Sequence, residues 1–371
     1  MNILQLRGEF SDNGPGTQTV TISTELRKRG HKVILCSSGG YLTEKINALN
    51  FKYYIVPEIA FKKRNVKNMI ISIFKVRKIL IKEDINIVHT HNAASVFIAN
   101  VAALLAFKKV KFFQSVRGIE NRKGKGWRNW IYNIANYNAM FAVSKFTKGK
   151  IMEFGVKSDK IVVTYNGVDL NRFDINKKDT YRLEVRKELD IPEDAFVIGI
   201  IGRQDGNKGH RDLVQAFELL YKEFPNLYIV LVGEGKQMED NIKLAKELSV
   251  YDRCRFTGLR LDAERLHASF NVFTILSKKN YEMFPNVIIE AMSYRNTFVG
   301  TNTTGVPEAA ERGEGFICEP HDLECISGKF RKLILDEDLR TKMGNRARQS
   351  VEEQFNINNV VNIIEESYNK K

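Results

Sequence analysis

The sequence predicts an α/β protein of two domains, and three observations carry the prediction. A chain of 371 residues exceeds what one hydrophobic core usually serves, so two domains of roughly 150 to 200 residues are expected. Short apolar runs alternate with amphipathic segments of helical period from Asn2 onward, the pattern of strands joined by crossover helices. The alternation lapses in a polar, charged stretch at 174–193 and restarts at Val197, which places a linker and a short helix between the domains. With 43% apolar residues and 7 Pro, the chain is globular and not disordered.

In the first half, Asn2 to Leu6 is a strand. Gly14-Pro15-Gly16 opens a helix that carries Val20, Ile22 and Leu26 and stops at Gly30. A loop of this kind can aim backbone N–H groups at a phosphate or a sugar oxygen. Thr19 stands where G-x-G-x-x-G requires its third Gly, and no acid closes the second strand, Lys32 to Cys36, so no dinucleotide cofactor is expected. Further strands are Lys52 to Val56, Asn86 to His91, Val110 to Ser115, Ala139 to Val143 and Ile161 to Tyr165. His89 and His91 alternate at the end of one of them, and are expected to face opposite sides, so that one serves a ligand. The plainer alternative for either is a satisfied, half-buried imidazole.

The second half opens with the strand Val197 to Ile201, the loop Gly202-Arg-Gln-Asp-Gly-Asn-Lys-Gly209, and a helix carrying Leu213, Ala216, Phe217 and Leu220 on one face. Arg203 and Lys208, five apart and next to a helix N-terminus, suit a diphosphate; a solvated basic pair is the plain alternative. Tyr228 to Val232 is a strand ending in Gly233-Glu-Gly235, and Arg255 to Gly258 closes another. The strand Val272 to Leu276 then meets a polar loop holding Glu282, followed by Pro285 and an amphipathic segment from Asn286 to Tyr294 that contains Glu290. Two carboxylates so placed, at the carboxyl end of a parallel strand, can share a crevice and accept from sugar hydroxyls, or can simply be solvated. Thr297 to Gly300 is a further strand. From Leu323 the chain is helical to its end, with Leu333, Leu339, Met343 and Ala347 as core positions, and Asp336-Glu-Asp338 fits a helix cap better than a metal site.

Several of these segments resemble one family. Glu282-Met-Phe-Pro-Asn-Val-Ile-Ile-Glu290 is similar to the E-G-F-P-x-x-x-x-E signature of glycosyltransferase family 4, or group 1, with Met283 where the family has Gly. Gly305-Val-Pro-Glu308 resembles the G-x-P-E that follows it there. The 202–209 loop matches the family's G-R-x-x-x-x-K-G, Val232 to Gly235 its V-G-x-G, Asn166 to Phe173 its N-G-V-D-x-x-R-F, and Asp84 to His91 its D-x-V-H-x-H. Ser115-Val-Arg117-Gly118 stands where the family often has T-x-H-G, so Arg117 keeps a hydrogen-bond donor but not a titratable imidazole.

The resemblance implies two Rossmann-like domains facing across a cleft, the GT-B arrangement. Residues 1–172 would bind the acceptor, with the terminal helix 355–371 packing back on them, and 173–354 would bind the donor. The implied reaction moves a sugar, with retention, from a nucleotide-diphosphate sugar, foremost a UDP-sugar, to a hydroxyl of a lipid-linked or cell-surface glycan. Arg203 and Lys208 would hold the leaving diphosphate, Glu282 the sugar hydroxyls and Glu290 the ribose. His91, with His89 second, would reach the donor sugar. Gly16, Gly233, Gly258 and the run Phe284, Pro285, Asn286, Val287 would line the donor, and Arg117 and Asn166 the acceptor side. The resemblance implies neither cofactor nor metal, the nucleotide sugar being a substrate and the diphosphate being neutralised by Arg203, Lys208 and helix N-termini.

Charge adds a partner. Residues 1–170 hold 28 Lys and Arg against 11 Asp and Glu, and the other 201 hold 30 against 33. The whole excess lies in the first half, which points to an anionic partner. Residues 61–82 interleave Lys62, Lys63, Arg64, Lys67, Lys75, Arg77, Lys78 and Lys82 with Met69, Ile70, Ile73, Phe74, Val76 and Leu80, as in a basic amphipathic helix at a membrane surface. Trp127 and Trp130 sit among cations in 122–130, a mixture the headgroup layer favours. No apolar run of about 18 residues and no signal-peptide pattern is present, so the expected location is cytoplasmic and peripheral on the inner membrane face. The four Cys, at 36, 254, 318 and 325, are scattered, as in a reducing compartment, and are read as buried structural thiols in preference to a zinc site with His321. Two rival functions are a sugar-nucleotide 2-epimerase of the same two-domain architecture and a nucleic-acid-binding protein; the latter leaves the paired Glu unexplained and has no recognisable module.

Overall fold

The computed structural model describes residues 1–11, 14–63, 65–119 and 136–370. The segment with Trp127 and Trp130, and Arg64, lie outside the described residues. The chain forms two compact units, Met1–Gly167 with Ile357–Lys371, and Val168–Asn356.

In the first unit the alternation of apolar runs and amphipathic segments becomes β1 (Asn2–Leu6), α1 (Gly14–Lys28), β2 (Lys32–Ser37), α2 (Thr43–Ala48), β3 (Lys52–Ile55), α3 (Val66–Lys82), β4 (Ile87–Thr90), α4 (Ala93–Leu105), β5 (Lys111–Val116), β6 (Ala139–Ala142), α5 (Lys145–Glu153) and β7 (Ile161–Val163). The strands pair in the order β3-β2-β1-β4-β5-β6-β7, all parallel. Helices cover both faces, which is why the central strands are buried on both sides and do not alternate between core and solvent. Ile3, Leu35, Phe113 and Phe141 pack on one face with Val20, Ile22 and Leu26 of α1. Leu4, Leu6, Ile34 and Val88 pack on the other with Ile73, Val76 and Leu80 of α3 and Ile98, Ala99 and Ala102 of α4.

The second unit contains α6 (Lys178–Glu188), β8 (Phe196–Ile201), α7 (His210–Tyr221), β9 (Leu227–Val232), α8 (Met238–Glu247), β10 (Cys254–Gly258), α9 (Ala263–Ser269), β11 (Val272–Ile275), α10 (Asn286–Ser293), β12 (Thr297–Thr301), β13 (Gly315–Cys318), α11 (Leu323–Leu335) and α12 (Glu337–Ser350). Its sheet is also parallel, ordered β10-β9-β8-β11-β12-β13. Leu213, Phe217 and Leu220 of α7 are buried against it; each such side chain stabilises by about 1.5–3 kcal/mol. Asp336 caps α12, its carboxylate accepting from the Leu339 N–H at 2.8 Å. The chain ends in α13 (Ile357–Asn369), which buries Val360, Val361, Ile364 and Tyr368 in the first unit. Arg29 and His31 hold it from the polar side through Glu365, at 3.1 and 2.7 Å.

One expectation needs correction. Cys318 and Cys325 are joined in a disulfide, in place of the scattered free thiols expected. Cys318 ends β13, a strand not expected from the sequence, and Cys325 lies in the first turn of α11, so the turn between them folds one thiol onto the other. Cysteine usage therefore carries no argument for a reducing compartment, and only Cys36 and Cys254 among the described cysteines are free thiols. In α3 the apolar residues divide between core and surface. Its Ile73, Val76, Ile79 and Leu80 are core, but Val66, Ile70, Phe74 and Ile81 are 68%, 47%, 53% and 47% exposed. Beside its core stripe the helix thus carries a second apolar stripe among its cations.

Candidate active site

In an open parallel sheet, ligands bind where the strand order reverses, outside the carboxyl ends of the strands. In the second unit the reversal falls between β8 and β11, which pair directly. The 202–209 loop leaves β8 and the 276–285 loop leaves β11 at the same edge, and the two loops are tied together. Lys278 N–H donates to the Asn207 carbonyl at 2.9 Å, and the Tyr281 hydroxyl donates to Asp205 at 3.1 Å. Lys208 and Glu282, 74 residues apart in sequence, meet there as a hydrogen-bonded ion pair. Ser277 donates to the same Glu282 oxygen at 3.0 Å, and the Gly305 N–H holds the Glu282 carbonyl at 3.1 Å.

Two glycines make this packing possible. Gly233 has φ +120°, and a Cβ there would collide with the Gly202 carbonyl oxygen; its N–H instead donates to the Gly258 carbonyl at 2.8 Å. Gly209, at φ +82°, precedes the first turn of α7 and would drive a Cβ into the Leu276 carbonyl oxygen. Any larger residue at either position would push the loops apart.

The other predicted residues of this unit are near the same edge but have separate partners. Arg203 is 72% exposed and, among the described residues, its ion-pair partner is Asp205, at 3.7 Å. Glu290, one turn into α10, faces the fully buried His267 of α9 at 3.5 Å and not the Lys208 pair. Phe284 is buried, with its ring 5.2 Å from that of Phe355, Pro285 precedes the first residue of α10, and Asn286 and Val287 lie in its first turn, both half-buried. Sequence reasoning missed Asp205, His267, Ser277 and Tyr281, and no spacing signal marks them, since each is recruited by the fold.

In the first unit, β1, β4 and β5 end side by side and bring Arg7, His91 and Arg117 to one edge. The expectation that His89 and His91 face opposite sides is wrong: residues two apart on a strand share a face, and the two rings stack at 4.7 Å. His89 is held by the Tyr368 hydroxyl at 2.7 Å and Ser115 Oγ at 2.8 Å. His91 Nε2 meets Gln5 Oε1 at 2.7 Å, and its Nδ1 is buried without a partner. Burial, with the charge of Arg117 beside it, pushes His89 down to about 3 and His91 well below its ordinary value, so both are neutral at pH 7. Arg117 donates to Asn166 Oδ1, joining two predicted residues 49 positions apart. Gly16 is buried within α1, and Gln18, two residues on, is bonded in both directions to Gly167, at 2.6 and 3.1 Å.

Against known families, residues 12–172 match the model described as Glycosyltransferase Family 4, and 182–350 match that for Glycosyl transferases group 1. The chain belongs to this glycosyltransferase family. The enzyme is 28% identical to N-acetyl-alpha-D-glucosaminyl L-malate synthase of Bacillus anthracis over 96% of its own chain and 94% of the relative. It is 28% identical to the capsular polysaccharide biosynthesis glycosyltransferase CapM of Staphylococcus aureus, over 93% and 91%. With the Escherichia coli UDP-Gal:alpha-D-GlcNAc-diphosphoundecaprenol alpha-1,3-galactosyltransferase it shares 26% over 90% and 88%. Among solved structures, a glycosyltransferase from Rickettsia africae superposes with a TM-score of 0.87 at 22% identity, covering 100% and 99% of the two chains. Anabaena HepE in complex with UDP-glucose gives 0.82 at 19%, covering 99% of each. The glycosyltransferase thus has the two-unit α/β fold of this family and acts on nucleotide sugars.

Proposed function

We propose that the enzyme transfers a sugar from a UDP-sugar, with retention, to a hydroxyl of a lipid-linked or cell-surface glycan. The observation that carries this reading is the convergence of Lys208 and Glu282 at the reversal point of the second sheet. There an ammonium fits the diphosphate that leaves and a carboxylate fits the hydroxyls of the sugar that moves. Arg203 supplies a second, solvent-reaching cation at the leaving diphosphate. Glu290, backed by His267, accepts from the nucleotide ribose. Gly233 and Gly258 let the backbone approach the nucleotide, and the start of α10 presents Phe284 to Val287 to the donor. Retention follows from the family resemblance, with a donor phosphate oxygen taking the acceptor proton.

Donor and acceptor classes are supported by the relatives, since the name of the Escherichia coli enzyme carries both UDP-Gal and a diphosphoundecaprenol acceptor, and HepE binds UDP-glucose. The first unit would hold the acceptor, His91 with it at the donor sugar. Its α3, with a second apolar stripe among exposed Lys67, Lys75 and Lys82, suits peripheral attachment to an anionic inner leaflet. No helix of the described residues is long and apolar enough to cross a membrane.

A screen of UDP-, GDP- and ADP-sugars for protection against thermal unfolding tests the donor. A UDP-sugar held at 100 times its dissociation constant should add about 2.7 kcal/mol, and protection by UDP-sugars no greater than by the others would refute the choice of nucleotide.

A further inference from the structure

The least accounted-for charge in the described residues is Arg117. It follows β5 at the ligand edge of the first sheet and is 9% exposed. Its partners are both neutral: Nη1 donates to Asn166 Oδ1 and Nη2 to Ser115 Oγ at 3.5 Å, while Nε is buried with no partner. No described carboxylate pairs with it. Arg7, just after β1, adds a like charge nearby, and burial together with that repulsion lowers Arg117 to about 9. The guanidinium therefore stays charged at pH 7. Buried charge without a counter-ion is costly, and hydrogen bonding to Asn166 and Ser115 alone would be met by a neutral amide or imidazole.

We propose that Arg117 is an anion-reading residue, binding a carboxylate or phosphate oxyanion carried by the acceptor. A guanidinium offers a planar fork of donors that matches such an oxyanion in two bonds at once. Nε and the Nη2 edge, bonded only to Ser115 at 3.5 Å, are the donors with capacity left. Neutral His91, at the adjacent strand end, offers a further uncharged contact whose Nδ1 is unused. The inference rests on the glycosyl-transfer reading above, in which the donor diphosphate has its own cations, Arg203 and Lys208, in the other unit. A separate cation in the first unit then serves the other substrate, which makes the acceptor an anionic hydroxy compound at the end that the enzyme grips.

The test uses the full chain with inorganic phosphate and succinate as probes, in wild type and in a Lys208→Ala background that weakens the proposed diphosphate site. Phosphate and succinate should still raise the melting temperature of Lys208→Ala, and Arg117→Gln in that background should weaken their binding by at least about 10-fold. Arg117→Gln should also be no less stable than its parent in anion-free buffer, because it removes an uncompensated charge. Undiminished probe binding, or a loss of stability that Arg117→Lys restores, would overturn the proposal and leave Arg117 a structural residue. Arg117→Lys keeps the charge but loses the fork, so it should bind phosphate about 3- to 10-fold more weakly than wild type; equal affinity would count against the geometry. Calorimetry with UDP separates the sources. If Arg117→Gln weakens UDP as much as Lys208→Ala does, the anion is the donor's diphosphate and the acceptor assignment falls. Failure of wild type to bind any nucleoside diphosphate would instead remove the transfer reading itself.

Discussion

Replacing Lys208 and Glu282 singly and together tests the pair on which the second unit's site is built. Their side chains are 19% and 9% exposed, so water screens the pair only in part. For an ordinary ion-pair contact of about 3 Å and an effective dielectric near 20, the gross attraction is about 5.5 kcal/mol. Desolvation of the two ions offsets more than half of that, which leaves a coupling of about 2 kcal/mol. Ser277 still donates to the carboxylate when Lys208 is replaced, whereas Glu282→Gln leaves the partly buried ammonium only a neutral amide oxygen in place of its counter-ion. Lys208→Met and Glu282→Gln should each destabilise the fold in urea, and the double variant should lose about 2 kcal/mol less than the two losses added. The same coupling should appear in ligand affinity: because Glu282 positions the ammonium, Glu282→Gln should weaken UDP as well as the intact sugar nucleotide. A coupling below about 0.5 kcal/mol, or UDP affinity untouched by Glu282→Gln, would refute the view that the two side chains act as one unit.

Turnover and binding divide the other roles. Arg203→Ala and Lys208→Ala should each lower turnover by roughly 100-fold, Arg203→Ala with little change in stability since its side chain is mostly exposed; near-normal turnover in either removes that residue from the mechanism. Glu290→Gln should weaken free UDP in calorimetry, and unchanged affinity would detach it from the nucleotide. Acid should unfold the protein from an unusually high pH. His89 and His210 sit at about 3 and about 4 when folded, both chiefly through burial, against an unfolded value near 6.5. Between pH of about 6.5 and these folded values the unfolded chain binds the extra protons, so stability is full above that range and falls as pH drops, by up to about 1.4 kcal/mol per unit for each imidazole. His89→Gln should flatten that slope between pH of about 6.5 and about 5, and an unchanged slope would mean that the imidazole is not held neutral. Flotation with vesicles should show binding to anionic lipid that fades with salt and drops when Lys62 and Lys63 are changed to Glu; equal binding to neutral vesicles would assign the charge another purpose.

The sequence by itself determined what is local. Apolar period, glycine stops and polar linkers mark two α/β units because a strand or helix must show its own face in its own residues. For the same reason the loop Gly202 to Gly209 before α7, the Asp336 cap and the apolar face of α13 are all legible. Tertiary structure decided what depends on strand order. Nothing in the spacing of Lys208 and Glu282 says that β8 and β11 pair, and only that adjacency turns two polar loops into an ion pair. The Cys318–Cys325 bond was hidden because β13, four residues long, has too short a period to recognise. The second apolar stripe of α3 was hidden because periodicity shows that a residue is apolar but not which neighbour fails to cover it. Arg117 is the sharpest case: its sequence shows a cation after a strand, and only the packing of Arg7, Ser115 and Asn166 around it shows a charge left without a counter-ion among the described residues.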